Sequence, residues 1–159
     1  MNSIPLRNTI NIDQSIEREI RKLYEMIKML LSNAKYTVLD KMELKELCKH
    51  IIVIEPKCNL NWIDTSKITN MSYLFDDFLM NQFCGDVSEW DVSNVRMFVN
   101  MFNLCEKFNC DLSKWDVHNA EKMNYMFGRC RIFNSDISKW NVSKVLDMSG
   151  MFSWCTSFN

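Results

Sequence analysis

The chain has 159 residues and balances 19 Lys+Arg against 20 Asp+Glu, a formal net charge of −1. That balance excludes the basic surface that nucleic acid or an anionic membrane selects. Hydrophobic residues make up 47% of the sequence, too many for a disordered chain, yet runs such as Met29-Leu30-Leu31 fall far short of the ~20 apolar residues of a membrane span.

The polar N-terminus (Asn2, Ser3, Arg7, Asn8) carries no apolar export signal, so a cytoplasmic location and no membrane insertion are expected. Seven cysteines, an odd number, argue against a secreted disulfide framework. Close Cys-x-x-Cys spacing is missing, and His50 and His118 are the two imidazoles, so neither a metal nor another cofactor is expected.

Residues 1–12 contain Pro5 and lack a helical period; they read as an arm. Asp13 can cap a helix whose apolar seam is Ile16, Ile20, Leu23, Ile27 and Leu30. Asp40-Lys41-Met42-Glu43 has the form of a capping box. It predicts a second helix through Leu44, Leu47, Cys48 and Ile51, stopped by Pro56. Residues 1–56 therefore read as an arm and a helical hairpin that caps the remainder of the chain. The alternative use of the first seam is a short coiled-coil contact between two chains.

Residues 57–159 repeat. Trp90, Trp115 and Trp140 are 25 residues apart, as are Phe102, Phe127 and Phe152, then Cys105, Cys130 and Cys155, then Phe108, Phe133 and Phe158. A fixed period of this length marks a stacked-repeat protein. Four units align: 59–83, with two extra residues within 76–82, then 86–108, 111–133 and 136–158. The first half of each unit, as in Leu112-x-x-Trp115-x-Val117, has leucine-rich-repeat spacing and predicts a short strand. The second half, as in Ala120, Met123, Met126, Phe127 and Cys130, has the spacing of a helix. The expected fold is α/β: a short right-handed, leucine-rich-repeat-like solenoid of about four coils with an N-terminal helical cap.

The blocks DVSEWDVSNVRMFVNMFNLCEKFN, DLSKWDVHNAEKMNYMFGRCRIFN and DISKWNVSKVLDMSGMFSWCTSFN resemble the BspA-like leucine-rich repeat of bacterial surface proteins, a unit that also recurs in mycoplasma lipoproteins. The resemblance covers residues 41–159. It rests on W-[DN]-V-S, M-x-x-MF and C-x-x-FN, and the second unit departs from it at Arg96-Met97-Phe98, where the family usually has Thr-Asp-Met. It implies adhesion or protein binding, often by exported proteins.

Trp-x-Val must share one face of the chain, so the indoles are expected in the core rather than on a sugar- or base-stacking platform. The other face presents Trp62, Asp64, Glu89, Asp91, Lys114, Asp116, His118, Lys139 and Asn141. This face is the expected site for a protein partner, with Trp62 as its anchor. Asp64, Asp91 and Asp116 form a weaker candidate for a cation ladder, and the three aligned cysteines read as packing rather than redox groups. P-loop, G-x-G-x-x-G and H-E-x-x-H signatures are missing, and no catalytic set is recognised. The expected function is a non-enzymatic protein–protein interaction module. The alternatives are an assembly protein that self-associates through its last coil or its N-terminal helix, and a surface adhesin fragment.

Overall fold

The computed structural model describes residues 35–159 together with Ile20, Tyr24 and Ile27. The expected arm and most of the first apolar seam lie outside the described residues. Within that seam Ile20 and Ile27 are helical and exposed, and beside them Tyr24 is helical and buried.

The described chain opens with strand β1 (Tyr36–Thr37), helix α1 (Lys41–Ile54) and strand β2 (Ile63–Asp64). The strands pair in parallel, Tyr36 with Ile63 and Thr37 with Asp64, so α1 is the crossover between them. The helix begins where its capping sequence predicts. Asp40 accepts a hydrogen bond from the Glu43 amide at 2.9 Å, and Glu43 reaches back to the Leu39 amide at 2.8 Å. Its buried face is Leu44, Cys48, Ile51 and Ile52. Pro56 follows the end of the helix, where Glu55 N–H closes on Ile51 O.

The structure corrects the expected α/β solenoid of strand-and-helix coils. Within residues 35–159 there is one helix and one two-stranded sheet, and both belong to the segment that ends at Asp64. Residues 65–159 are built from turns. In the third unit, Trp115 N–H bonds Leu112 O, Ala120 bonds Val117, Met126 bonds Met123, Cys130 bonds Phe127 and Phe133 bonds Cys130. Each bond closes a three-residue step and each closing residue is buried. A succession of tight turns thus places an apolar side chain inward every third residue, a spacing that also fits one face of a helix. Left-handed backbone, which a continuous helix would not tolerate, occurs at two residues in each of the last three units, Asn100 and Leu104, Tyr125 and Arg129, Gly150 and Trp154, and at Tyr73 in the first.

The Trp-x-Val segments form no ladder either. Backbone pairing between units falls elsewhere, at the parallel bridges Asn70 to Met97, Met97 to Lys122 and Lys122 to Asp147. Phe98, Asn100, Phe102 and Leu104 donate to Lys122, Asn124, Met126 and Gly128 at 2.8–3.0 Å. Met123, Tyr125, Phe127 and Arg129 donate in the same way to Asp147, Ser149, Met151 and Ser153. The departure at Arg96-Met97-Phe98 leaves this pairing intact, because Met97 keeps its bridge and Phe98 is buried.

Side by side, these units bury one continuous core. Phe75, Phe102, Phe127 and Phe152 stack face to face with centroids 5.1, 5.7 and 5.7 Å apart. Phe83, Phe108, Phe133 and Phe158 form a second file at 5.6, 6.1 and 5.8 Å. Within a unit the two files touch, as in Phe102 against Phe108 at 4.0 Å. Each fully buried Phe contributes about 1.5–3 kcal/mol of transfer free energy. Two glycines permit close approach. A Cβ on Gly85 would collide with Cys58 O, and one on Gly150, at φ +63°, would run into the Tyr125 ring.

A candidate interaction surface

The exposed rim beside the tryptophans is shaped by side chains that bond their own backbone. Asp64 accepts from the amide of Ser66 at 3.0 Å, Asp91 from Ser93 at 3.0 Å and Asp116 from His118 at 3.2 Å, each two residues on. The corner before each tryptophan repeats the device, Asp111 with Ser113 at 2.9 Å and Asp136 with Ser138 at 3.0 Å. These are Asx turns, in which a short side chain replaces a backbone acceptor.

Asn59, Asn70 and Asn141 make the same bond with a neutral amide oxygen, to Asn61, Ser72 and Ser143. The position therefore selects an acceptor of the right reach, not a negative charge. The expected acidic ladder is a set of turn-forming groups already engaged, and no cluster of three or more His, Cys, Asp or Glu suited to a metal occurs among the described residues. The bonds hold the carboxyls below their ordinary pKa: the Ser66 amide for Asp64, the Ser113 amide for Asp111, the His118 ring for Asp116 and the Ser138 hydroxyl for Asp136.

Trp90, Trp115 and Trp140 are buried, and each indole N–H donates into the preceding unit, to Leu60 O, Val87 O and Leu112 O at 2.9–3.0 Å. These bonds fix the rim on which the side chains just before the indoles stand. Glu89, Lys114 and Lys139 are exposed there, one per unit, with Asp91, Asp116 and Asn141 exposed two residues beyond. His118 is half-buried, its ring 2.8 Å from Asp116.

Trp62 does not join them. It is half-buried against the core and meets Tyr36 of β1 edge-to-face at 6.4 Å. Asp64 is likewise tied to β1, through Thr37 Oγ1 at 2.9 Å. The expected face thus divides in two: Trp62 and Asp64 are occupied by β1, and the remaining residues stand along the rim.

Sequence reasoning passed over the asparagines that lace the rim. Asn94 and Asn119 donate to Ser66 O and Ser93 O at 2.9 Å, and Lys144 reaches Asn119 Oδ1 at 2.7 Å. Their signal was present as Asn recurring at 94 and 119 beside the Ser or His of each turn. Ion pairs also cross between units, Arg96 with Glu121 and Arg131 with Glu106.

The thiols lie inward. Cys105 and Cys130 are buried, Cys155 is half-buried, and Cys130 donates to Phe102 O at 3.0 Å. Burial pushes all three thiols up, and pushes Cys110 up to about 12. They are packing groups without thiolate character.

A family model described as Mycoplasma protein of unknown function, DUF285, matches residues 42–159. The chain belongs to this family. The match to DUF285 starts within α1 and takes in every unit of the stack. No curated protein and no solved structure matches the chain. No helix among the described residues is long and apolar enough to cross a membrane.

Proposed function

We propose that this DUF285 chain is a non-enzymatic protein-interaction module whose contact surface is the rim of Glu89, Asp91, Lys114, Asp116, His118, Lys139 and Asn141. One observation carries the reading. The buried tryptophans repeat their backbone bonds from unit to unit, whereas the exposed residues beside them differ between units, Glu89 with Asp91, Lys114 with Asp116 and Lys139 with Asn141. A constant frame with variable exposed side chains is how repeat arrays build extended recognition surfaces. The resemblance to BspA-like repeats supports the same reading. We place the protein in the cytoplasm, because its cysteines are all free thiols, as a reducing compartment keeps them.

Reversing the rim charges tests the proposal. The triple variant Glu89→Lys, Lys114→Glu, Lys139→Glu should keep the circular dichroism and Tm of the parent and lose the partners the parent retains in affinity capture. An unchanged set of captured partners overturns it.

A further inference from the structure

We propose that the groove lined by Lys41, Ser72, Val99, Lys122 and Asn124 binds a carboxylate, whose oxygens take the place of two turn acceptors that the sequence leaves out. The groove shares no residue with the Glu89–Lys114–Lys139 rim, so this inference and the proposed function are tested separately.

Three rows of Asx turns cross the four units, and two of them are complete. Asn59, Asp86, Asp111 and Asp136 each accept from the amide two residues on. So do Asp64, Asp91, Asp116 and Asn141. In the third row Asn70 accepts from Ser72 N–H and Asp147 from Ser149 N–H, both at 2.9 Å. Between them stand Met97 and Lys122, held in register by parallel bridges. Neither of those side chains carries an oxygen.

The amides two residues beyond them, Val99 and Asn124, donate to nothing among the described residues. Their direction follows from the rest of each peptide group. Phe98 O and Met123 O accept turn bonds from Met101 and Met126, just as Met71 O and Met148 O accept from Leu74 and Met151. In a trans peptide the N–H points away from the C=O. Val99 and Asn124 N–H therefore point as Ser72 and Ser149 N–H do, toward the place an Asx oxygen would fill. Neighbouring parallel segments lie ~4.8 Å apart, close enough for both amides to converge on the two oxygens of one carboxylate.

The surroundings favour negative charge at that place. Lys41 reaches in from α1, its Nζ 3.4 Å from Ser72 O, and Lys122 is exposed at the opposite side. Ser72 is 4% exposed, and its hydroxyl is buried with no hydrogen-bond partner among the described residues. Such a hydroxyl is costly to leave unpaired and can turn its hydrogen to an acceptor in the groove. Asn124 Oδ1 is also buried without a partner, and exchanging the two amide atoms makes it a further donor.

A carboxylate fits these donors better than a phosphate. It is the group that Asp147 supplies to the same row. Asp147 also lines the groove at the end away from Lys41, and its charge opposes a second negative charge beside it. The groove, of about 370 Å³, has room for a small acid or for the acidic side chain of a peptide.

The test titrates the full chain, ¹⁵N-labelled, with sodium acetate at constant ionic strength, and in a second series with acetyl-Gly-Asp-Gly-amide. The Val99 and Asn124 amide resonances should move downfield and saturate, while those of Ser72 and Ser149, already bonded, stay in place. Lys122→Met should weaken acetate binding by about tenfold. The double variant Met97→Asp, Lys122→Asp supplies both oxygens from within. Its Val99 and Asn124 resonances should lie downfield from the start and ignore acetate, with no loss of Tm. Tighter binding of the peptide assigns the carboxylate to an acidic side chain, and tighter binding of acetate to a free acid. The proposal is overturned if the two amides do not move, if chloride moves them equally, or if the double variant responds as the parent does. Inorganic phosphate binding more tightly than acetate also overturns it.

Discussion

The Asx position shows how much depends on a single acceptor oxygen. Asp64, Asp111, Asp116 and Asp136 each bond an amide two residues ahead, and hydrogen bonds from that residue, led by the amide of Ser66 and of Ser113, the ring of His118 and the hydroxyl of Ser138, hold them below their ordinary value. A carboxyl whose folded pKa is depressed adds stability that is complete above its unfolded value, about 3.9. That contribution disappears as pH falls through the lower folded value. Thermal stability should therefore drop below about pH 4. In the quadruple variant Asp64→Asn, Asp111→Asn, Asp116→Asn, Asp136→Asn the acid limb of Tm against pH should flatten, because Asn59, Asn70 and Asn141 show that an amide forms the same turn. Asp111→Ala, which supplies no acceptor, should lower Tm at neutral pH where Asp111→Asn does not. Equal Tm for those two variants would show that the turn does not need the bond.

At the scale of the element, the three-residue turn step replaces the helix and strand that the spacing predicts. The 25-residue period, the inward Trp, Phe and Cys positions, and the start of α1 were all legible, because each depends on which residues are apolar or can cap. Choosing between a helix and a chain of turns was not. Apolar residues at i, i+3 and i+7 serve both, and the left-handed residues that decide it include Leu104, Arg129 and Trp154, types that carry no turn signal. The packing of Trp62 on Tyr36 was not legible for a related reason: β1, which carries Tyr36, is two residues long. Packing within these elements should be costly to disturb. Phe127 touches Phe102, Phe133 and Phe152, and Phe127→Ala should destabilise the chain by about 3–5 kcal/mol in denaturant unfolding. Trp115→Phe keeps a ring but removes the bond to Val87 O and should cost about 1–3 kcal/mol in the same measurement.

For the whole molecule, the thiols divide by burial. Cys48, Cys58, Cys105, Cys110 and Cys130 are buried, while Cys84 and Cys155 are partly accessible. A thiol reagent should modify Cys84 and Cys155 in the native state and reach the other five only on unfolding; mass spectrometry of the digested adduct reads this directly. The first unit shows how the stack tolerates extra chain. Seven residues separate Phe75 from Phe83, against five between Phe102 and Phe108, yet both pairs remain stacked, at 4.5 and 4.0 Å. The extra length is carried at one corner, where Phe78 and Leu79 project into solvent. That corner is a natural graft point: a tag or epitope spliced between Phe102 and Phe108, or between Phe127 and Phe133, can bulge outward while the rings on either side keep their neighbours.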